Sequence, residues 1–156
     1  MTEEFLARVR NYATSIFRCG SASIHGLSHW RRVENWARLI CKDTSADLMV
    51  VCFFAYLHDA CRLNDGKDLQ HGPRSADLLS QLPEDITVLN EAQLYLLDKA
   101  IRHHTEGSTS DNPTIGACWD ADRLDLGRVG ITPSDKWMST KSGKKIAALG
   151  SKDLFV

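Results

Sequence analysis

Residues Leu48–Leu57 read LMVVCFFAYL, ten consecutive apolar positions that run straight into His58-Asp59 with no turn residue between them. A segment apolar on every side belongs at the centre of a core, because each of its faces must leave water. The run falls well short of the ~18–20 residues needed to span a bilayer. Ending such a segment on an imidazole and a carboxylate is costly, since a buried carboxylate must be paired or bound to a cation. The rest of the chain therefore has to supply a compensating group for Asp59.

The flanking segments carry helical periodicity. Thr2–Arg18 repeats Phe5, Leu6, Val9, Tyr12, Ala13 and Ile16 at helical spacing, with Thr2 as N-cap and Gly20 beyond the end. A second helix starts near Leu27 or Ser28 and runs to about Lys42, and its stripe of Val33, Trp36, Ala37 and Ile40 extends back to His29. The central run is predicted to be helical from about Ser45 to Ala60. After the polar turn Leu63–Asp68, a short helix opens at His71 with Pro73 in its first turn and continues to about Leu82. Glu91–His104 is a further helix, on which Leu94, Leu97 and Ile101 lead to His104 while Leu96 and Ala100 lead to His103. Gly116–Leu126 places Trp119, Asp122 and Leu126 on one face, and Thr140–Leu149 is a last helix. No segment alternates with period two, so the expected fold is all-α. The 156 residues are read as a single domain, with a core over about 25–130 and a helical or irregular tail over 131–156.

A net charge of −1 excludes a general nucleic-acid or membrane-surface binder, which would show a basic excess. The five cysteines are odd in number, scattered and without C-x-x-C spacing, as in a cytoplasmic protein with buried thiols. Oligomeric state is open: the apolar face of the first helix packs on its own bundle or on a second copy of the chain.

His29, His104 and Asp122 each occupy a position that periodicity assigns to the core, and His58-Asp59 close a buried helix. Imidazoles and carboxylates converging from different helices form a ligand inventory for a divalent metal. A nitrogen and oxygen set without thiolate suits Mn²⁺, Fe²⁺, Co²⁺, Ni²⁺, Mg²⁺ or catalytic Zn²⁺ rather than a structural zinc site.

The order His29 … His58-Asp59 … Asp122 resembles the H…HD…D signature of the HD-domain metal-dependent phosphohydrolases. HGLSHWRRV is similar to that family's H-x-x-R-V helix, FFAYLHDACR to the buried helix carrying the doublet, and ACWDADRLDLGRVG to its A-D-R-L segment. The resemblance implies a bundle of five or more helices around a central metal, held by His29, His58, Asp59 and Asp122, the last in preference to Asp120 or Asp125. It implies hydrolysis of a phosphate ester or anhydride, usually of a nucleotide, by metal-activated water, with Asp59 or Asp122 accepting its proton. The alternative is a non-catalytic nucleotide-binding module of the same fold. HGPRSA and AIRHHTEG resemble the places where relatives with more than one ion add histidines, so His71, His103 and His104 are candidates for a second metal or for supporting donors. His25, four residues before His29, is within reach of the same neighbourhood but is assigned to the helix N-terminus. Arg32, Arg62, Arg74, Arg123 and Lys67 are candidates for substrate phosphate, ion pairs with Asp120, Asp125 or Asp65 being the alternative for the arginines.

Overall fold

The computed structural model describes residues 2–150, so the end of the expected tail, 151–156, lies outside the described residues. Its α-helices are α1 (Glu3–Ile16), α2 (Leu27–Cys41), α3 (Leu48–Leu57), α4 (His71–Asp77), α5 (Glu91–His103), α6 (Pro113–Arg123) and α7 (Lys141–Leu149). Short 3₁₀ turns follow α4, α6 and the loops between them, and no strand occurs among the described residues.

Helix α3 is the axis of the bundle. Val50 to Leu57 are fully buried, and α1, α2, α5 and α6 pack around them. Each large side chain in that run contributes about 1.5–3 kcal/mol by leaving water. Asp47 fixes where the helix begins. One carboxylate oxygen accepts from the Met49 and Val50 N–H groups, the other accepts from Gln93 Nε2, and the Asp47 N–H donates to Thr114 Oγ1. The helix therefore starts at Leu48 rather than Ser45. Beyond Leu57 the ladder tightens, with Ala60 N–H bonding Leu57 O and Arg62 N–H bonding Asp59 O, so His58 is the C-cap and Asp59 stands on the turn that follows.

Helix α1 buries Leu6, Val9 and Ala13 against its own bundle and stacks Phe5 on Phe53 at 5.9 Å between ring centres. Helix α4 ends at Asp77 and passes into a 3₁₀ turn over Leu78–Gln81, short of the expected Leu82. Gly72 lets α4 approach the end of α5, because a Cβ there would stand 3.0 Å from the Ile101 carbonyl oxygen and 3.1 Å from that of Arg102. Helix α6 starts at Pro113, ahead of the expected Gly116, because Asn112 caps the Thr114 and Ile115 N–H groups and Pro113 fits the first turn. Trp119 Nε1 ties α6 to α5 through the Ala100 carbonyl at 2.9 Å.

Candidate metal centre

Four histidines converge on the turn after α3, each held in one tautomer. His29 Nδ1 donates to Asp125 Oδ2 at 2.6 Å, and Asp125 Oδ1 in turn accepts from Arg32 Nε at 2.7 Å. His58 Nδ1 donates to the carbonyls of Phe54 at 3.0 Å and Ala55 at 3.1 Å, with its ring stacked on Phe54. His71 Nδ1 donates to the Asp68 carbonyl at 2.5 Å and His104 Nδ1 to the Ile101 carbonyl at 2.6 Å. A carbonyl or an ionised carboxylate only accepts, so the neutral imidazoles carry their protons on Nδ1 and leave each Nε2 with a lone pair.

Those lone pairs meet one another and two carboxylates. His29 Nε2 and His58 Nε2 lie 3.1 Å apart, as do His71 Nε2 and His104 Nε2 at 3.0 Å. Asp122 Oδ1 lies 3.3 Å from His29 Nε2 and 3.5 Å from His58 Nε2, with Asp59 Oδ2 at 3.7 and 3.5 Å from the same two atoms. The other oxygen of Asp59, Oδ1, is 3.0 Å from His71 Nε2 and 3.4 Å from His104 Nε2. Asp59 thus faces one histidine pair with each oxygen. Acceptors crowded at such distances repel unless a cation stands among them. The separations suit donors around one ion at bonds of about 2.0–2.2 Å, which leave neighbouring donors about 3.0–3.5 Å apart. The residues therefore fit divalent metal, in His29–His58–Asp59, His58–His104–Asp122 and Asp59–His71–His104 groupings.

With no ion among them, imidazoles that take up a second proton on Nε2 play the cation's part beside the carboxylates. Burial pushes the Asp59 carboxyl up, but the charge of His58 and bonds from His104, His25 and His71 hold it well below the ordinary carboxylate range. Burial likewise raises Asp122, and the charge of His58 with bonds from His29 and His58 outweighs it, again well below that range. For His29 burial lowers the proton affinity, and bonds to Asp122 and Asp125 raise it above the usual value. Protons on the imidazoles balance the carboxylates when no ion is present, and a divalent ion would displace them.

His29, His58, Asp59 and Asp122 come together, and His71 and His104 join them. His103 does not. It is one residue too early to share the face of His104, and its Nδ1 bonds Glu106 Oε1 at 2.8 Å at the surface. His25, assigned above to a helix N-terminus, instead reaches the cluster. The N-cap of α2 is Gly26, and His25 Nδ1 is buried 3.3 Å from Asp59 Oδ2. Its position four residues before His29 is the signal that pointed there.

The arginines expected at substrate phosphate are mostly engaged elsewhere. Arg32 holds Asp125 and Ser28, Arg74 holds Asp68 and the Cys61 carbonyl, and Arg123 lies buried against Trp119 with NH1 on the Trp137 carbonyl. Arg62 spends NH1 on the Asn64 and Gly66 carbonyls and turns Nε toward Asp59 Oδ1 at 3.6 Å. Lys67 is exposed in the turn. Asp125 is the ion-pair partner that the sequence offered for an arginine, here Arg32, but its hold on His29 Nδ1 was not foreseen, nor was the place of Arg128 beside Asp122, which no spacing marks.

Helices packed around a buried core of imidazoles and carboxylates, with lone pairs turned inward, define an all-α metal-binding protein. The HD domain family model matches residues 26–130, and the chain belongs to that family, whose members are generally metal-dependent phosphohydrolases. The crystal structure of a predicted HD superfamily hydrolase from an uncultured Thermotogales bacterium is similar to it at a TM-score of 0.72 and 25% identity, covering 94% of this chain and 85% of that one. Comparison with curated proteins returned no match. No helix among the described residues is long and apolar enough to cross a membrane.

Proposed function

We propose that the protein is a hydrolase of small phosphate esters or anhydrides, with a nucleotide as substrate, and that it works as a single domain around two divalent ions. In this reading His29, His58, Asp59 and Asp122 would hold one ion, and His71 and His104 with Asp59 would hold the other. The observation that carries it is the common tautomer: four Nδ1 atoms donate outward and four Nε2 lone pairs point at the same two carboxylates. A hydrogen-bonded network would alternate donors with acceptors; a cation site does not.

Bound ions supply a polarised phosphoryl oxygen and a water acidic enough to deprotonate near neutrality. The chain's own residues do the rest. Asp125 and Arg32 keep the His29 ring in its binding tautomer, as outer partners of metal ligands do. Asp122, whose side chain is 16% exposed against 3% for Asp59, is the cluster's face toward solvent and is placed to take a proton from the attacking water. The apolar walls from α3 keep the centre dry, which strengthens every charge interaction inside it.

The test is metal reconstitution. Protein stripped of metal is loaded with Mg²⁺, Mn²⁺, Co²⁺, Ni²⁺, Fe²⁺ or Zn²⁺ and offered nucleoside mono-, di- and triphosphates, cyclic nucleotides and an aryl phosphate, with His58→Ala as control. Turnover that needs metal and vanishes in the control is expected, with close to two ions per chain. Metal binding without turnover on any substrate would move the protein to the nucleotide-binding modules of the same fold, and no metal binding would sink the reading.

A further inference from the structure

We infer that Arg128, in the turn after α6, is the residue that binds the substrate's phosphoryl oxygens, an inference that rests on the proposed phosphohydrolase reading. Its guanidinium is fixed from two sides: Nε donates to the Ile24 carbonyl at 3.1 Å and NH1 to the Asp125 carbonyl at 3.0 Å. Both hydrogen-bond acceptors are neutral backbone groups, and the nearest carboxylate to NH1, Asp125 Oδ2 at 4.0 Å, is beyond hydrogen-bonding distance and already held by His29. The remaining nitrogen, NH2, is 4.0 Å from Asp122 Oδ1, beyond hydrogen-bonding distance, and among the described residues no acceptor is recorded for it. With its side chain 11% exposed, Arg128 stands beside Asp122, the most open carboxylate of the cluster. A cation held rigid by backbone, with one N–H pair unspent and aimed past a metal ligand, is arranged to meet an anion bound to that metal.

The other arginines near the motif are less free to do this. Arg32 and Arg74 sit in ion pairs, Arg123 faces the chain leading to α7, and Arg62 serves Asp59 from the side of the second histidine pair. Besides Arg128, the described residues leave Arg62 Nε beside Asp59 and Lys67 exposed in the turn, on the side of the second histidine pair, and no ring of cations as a triphosphate would require. A single phosphoryl group beside Asp122 fits the unspent NH2 of Arg128, so the preferred substrate class is a phosphomonoester rather than a nucleoside triphosphate.

The experiment measures inorganic phosphate binding by calorimetry on Mn²⁺-loaded protein, alongside Mn²⁺ content and aryl phosphate kinetics, for wild type, Arg128→Gln and Arg128→Lys. Loss of one charge-assisted contact is expected to weaken phosphate about tenfold or more in Arg128→Gln and to raise KM more than it lowers kcat. Arg128→Lys should recover part of the affinity, because it keeps the charge while losing the two carbonyl contacts. Mn²⁺ content should equal that of wild type in both. Unchanged phosphate affinity in Arg128→Gln overturns the assignment. Equal loss in the Gln and Lys variants together with lost Mn²⁺ also overturns it, showing that Arg128 only braces the Ile24 loop. Wild type that binds phosphate through Arg128 without hydrolysing any ester leaves this assignment standing and defeats the hydrolase reading instead. Tighter binding of a triphosphate than of a monophosphate defeats the substrate class.

Discussion

Asp120 and Asp122 stand two residues apart on α6 and solve the same problem in opposite ways. Asp120 points away from the metal centre and is fully buried; its Oδ1 accepts from the Ser139 N–H at 2.7 Å, and its Oδ2 from the Thr140 N–H at 2.8 Å and Thr140 Oγ1 at 2.7 Å. Those donors belong to the N-terminus of α7, where a carboxylate also meets the positive end of the helix dipole. Burial still raises the Asp120 carboxyl above its usual value, against the bonds from Ser139 and Thr140. Asp122 has the imidazoles of His29 and His58 for neighbours and, among the described residues, no N–H from the backbone. One carboxylate is satisfied by backbone and hydroxyl donors, the other faces side chains that are themselves able to ligate a metal. Burial alone does not mark a functional acid; the chemistry of its partners does.

The contrast breaks most visibly under paired amide substitutions. Asp122→Asn should lose hydrolysis by more than about 100-fold, beyond the effect of removing an outer partner of a ligand, and should lose bound metal as well. Asp120→Asn should keep metal binding but lose about 2–4 kcal/mol, because an amide donor then faces buried donors left without an acceptor. Activity, metal-content and urea-unfolding measurements on both variants check the pair, and equal metal loss in the two would refute the distinction. Gly143→Ala probes the Asp120 side alone: a Cβ at Gly143 would clash with Asp120 Oδ2 and stand 2.8 Å from its Cγ. The overpacking should cost about 1–3 kcal/mol by thermal melting, with the number of bound ions unchanged.

Asp125 sharpens the Asp122 side. Asp125→Ala frees His29 Nδ1 and should weaken metal by about 10–100-fold in calorimetry, with the fold retained. The smallest effect concerns Asp68, whose carbonyl orients His71 and whose carboxylate holds Arg74. The Arg74 bond lowers the Asp68 carboxyl to about 2, against a smaller upward push from burial. A depressed acid contributes stability above its unfolded value of about 3.9 and loses it as pH falls toward the folded value. The stability gap between wild type and Asp68→Asn should thus be full above about pH 4–5 and close toward pH 2.

Much of the centre was legible because helical periodicity sorts residues by face. His29, His104 and Asp122 announced themselves as polar groups on apolar stripes, and His58-Asp59 as the polar end of a buried run. His103 and His104 show the resolution of that reading: adjacent residues on α5 differ by about 100° around the helix, enough to put one in the centre and the other beside Glu106. Arginines were the weak point. Long flexible side chains next to a motif reach many acceptors, and which one each takes depends on loops such as Asn64–Gly66 and Ile24 that periodicity does not describe.

From the sequence alone came an all-α chain, a buried helix ending on an imidazole and a carboxylate, and the four motif residues that face inward. Local spacing is enough for those, since apolar period and helix geometry are local properties. Only the tertiary structure decided that Asp59 divides its two oxygens between two histidine pairs, that Asp120 caps α7, that His25 turns inward and that Arg128 is left with an unspent nitrogen. Each depends on a partner far away in the chain, and long-range hydrogen-bond geometry is set by how the helices pack rather than by any one segment.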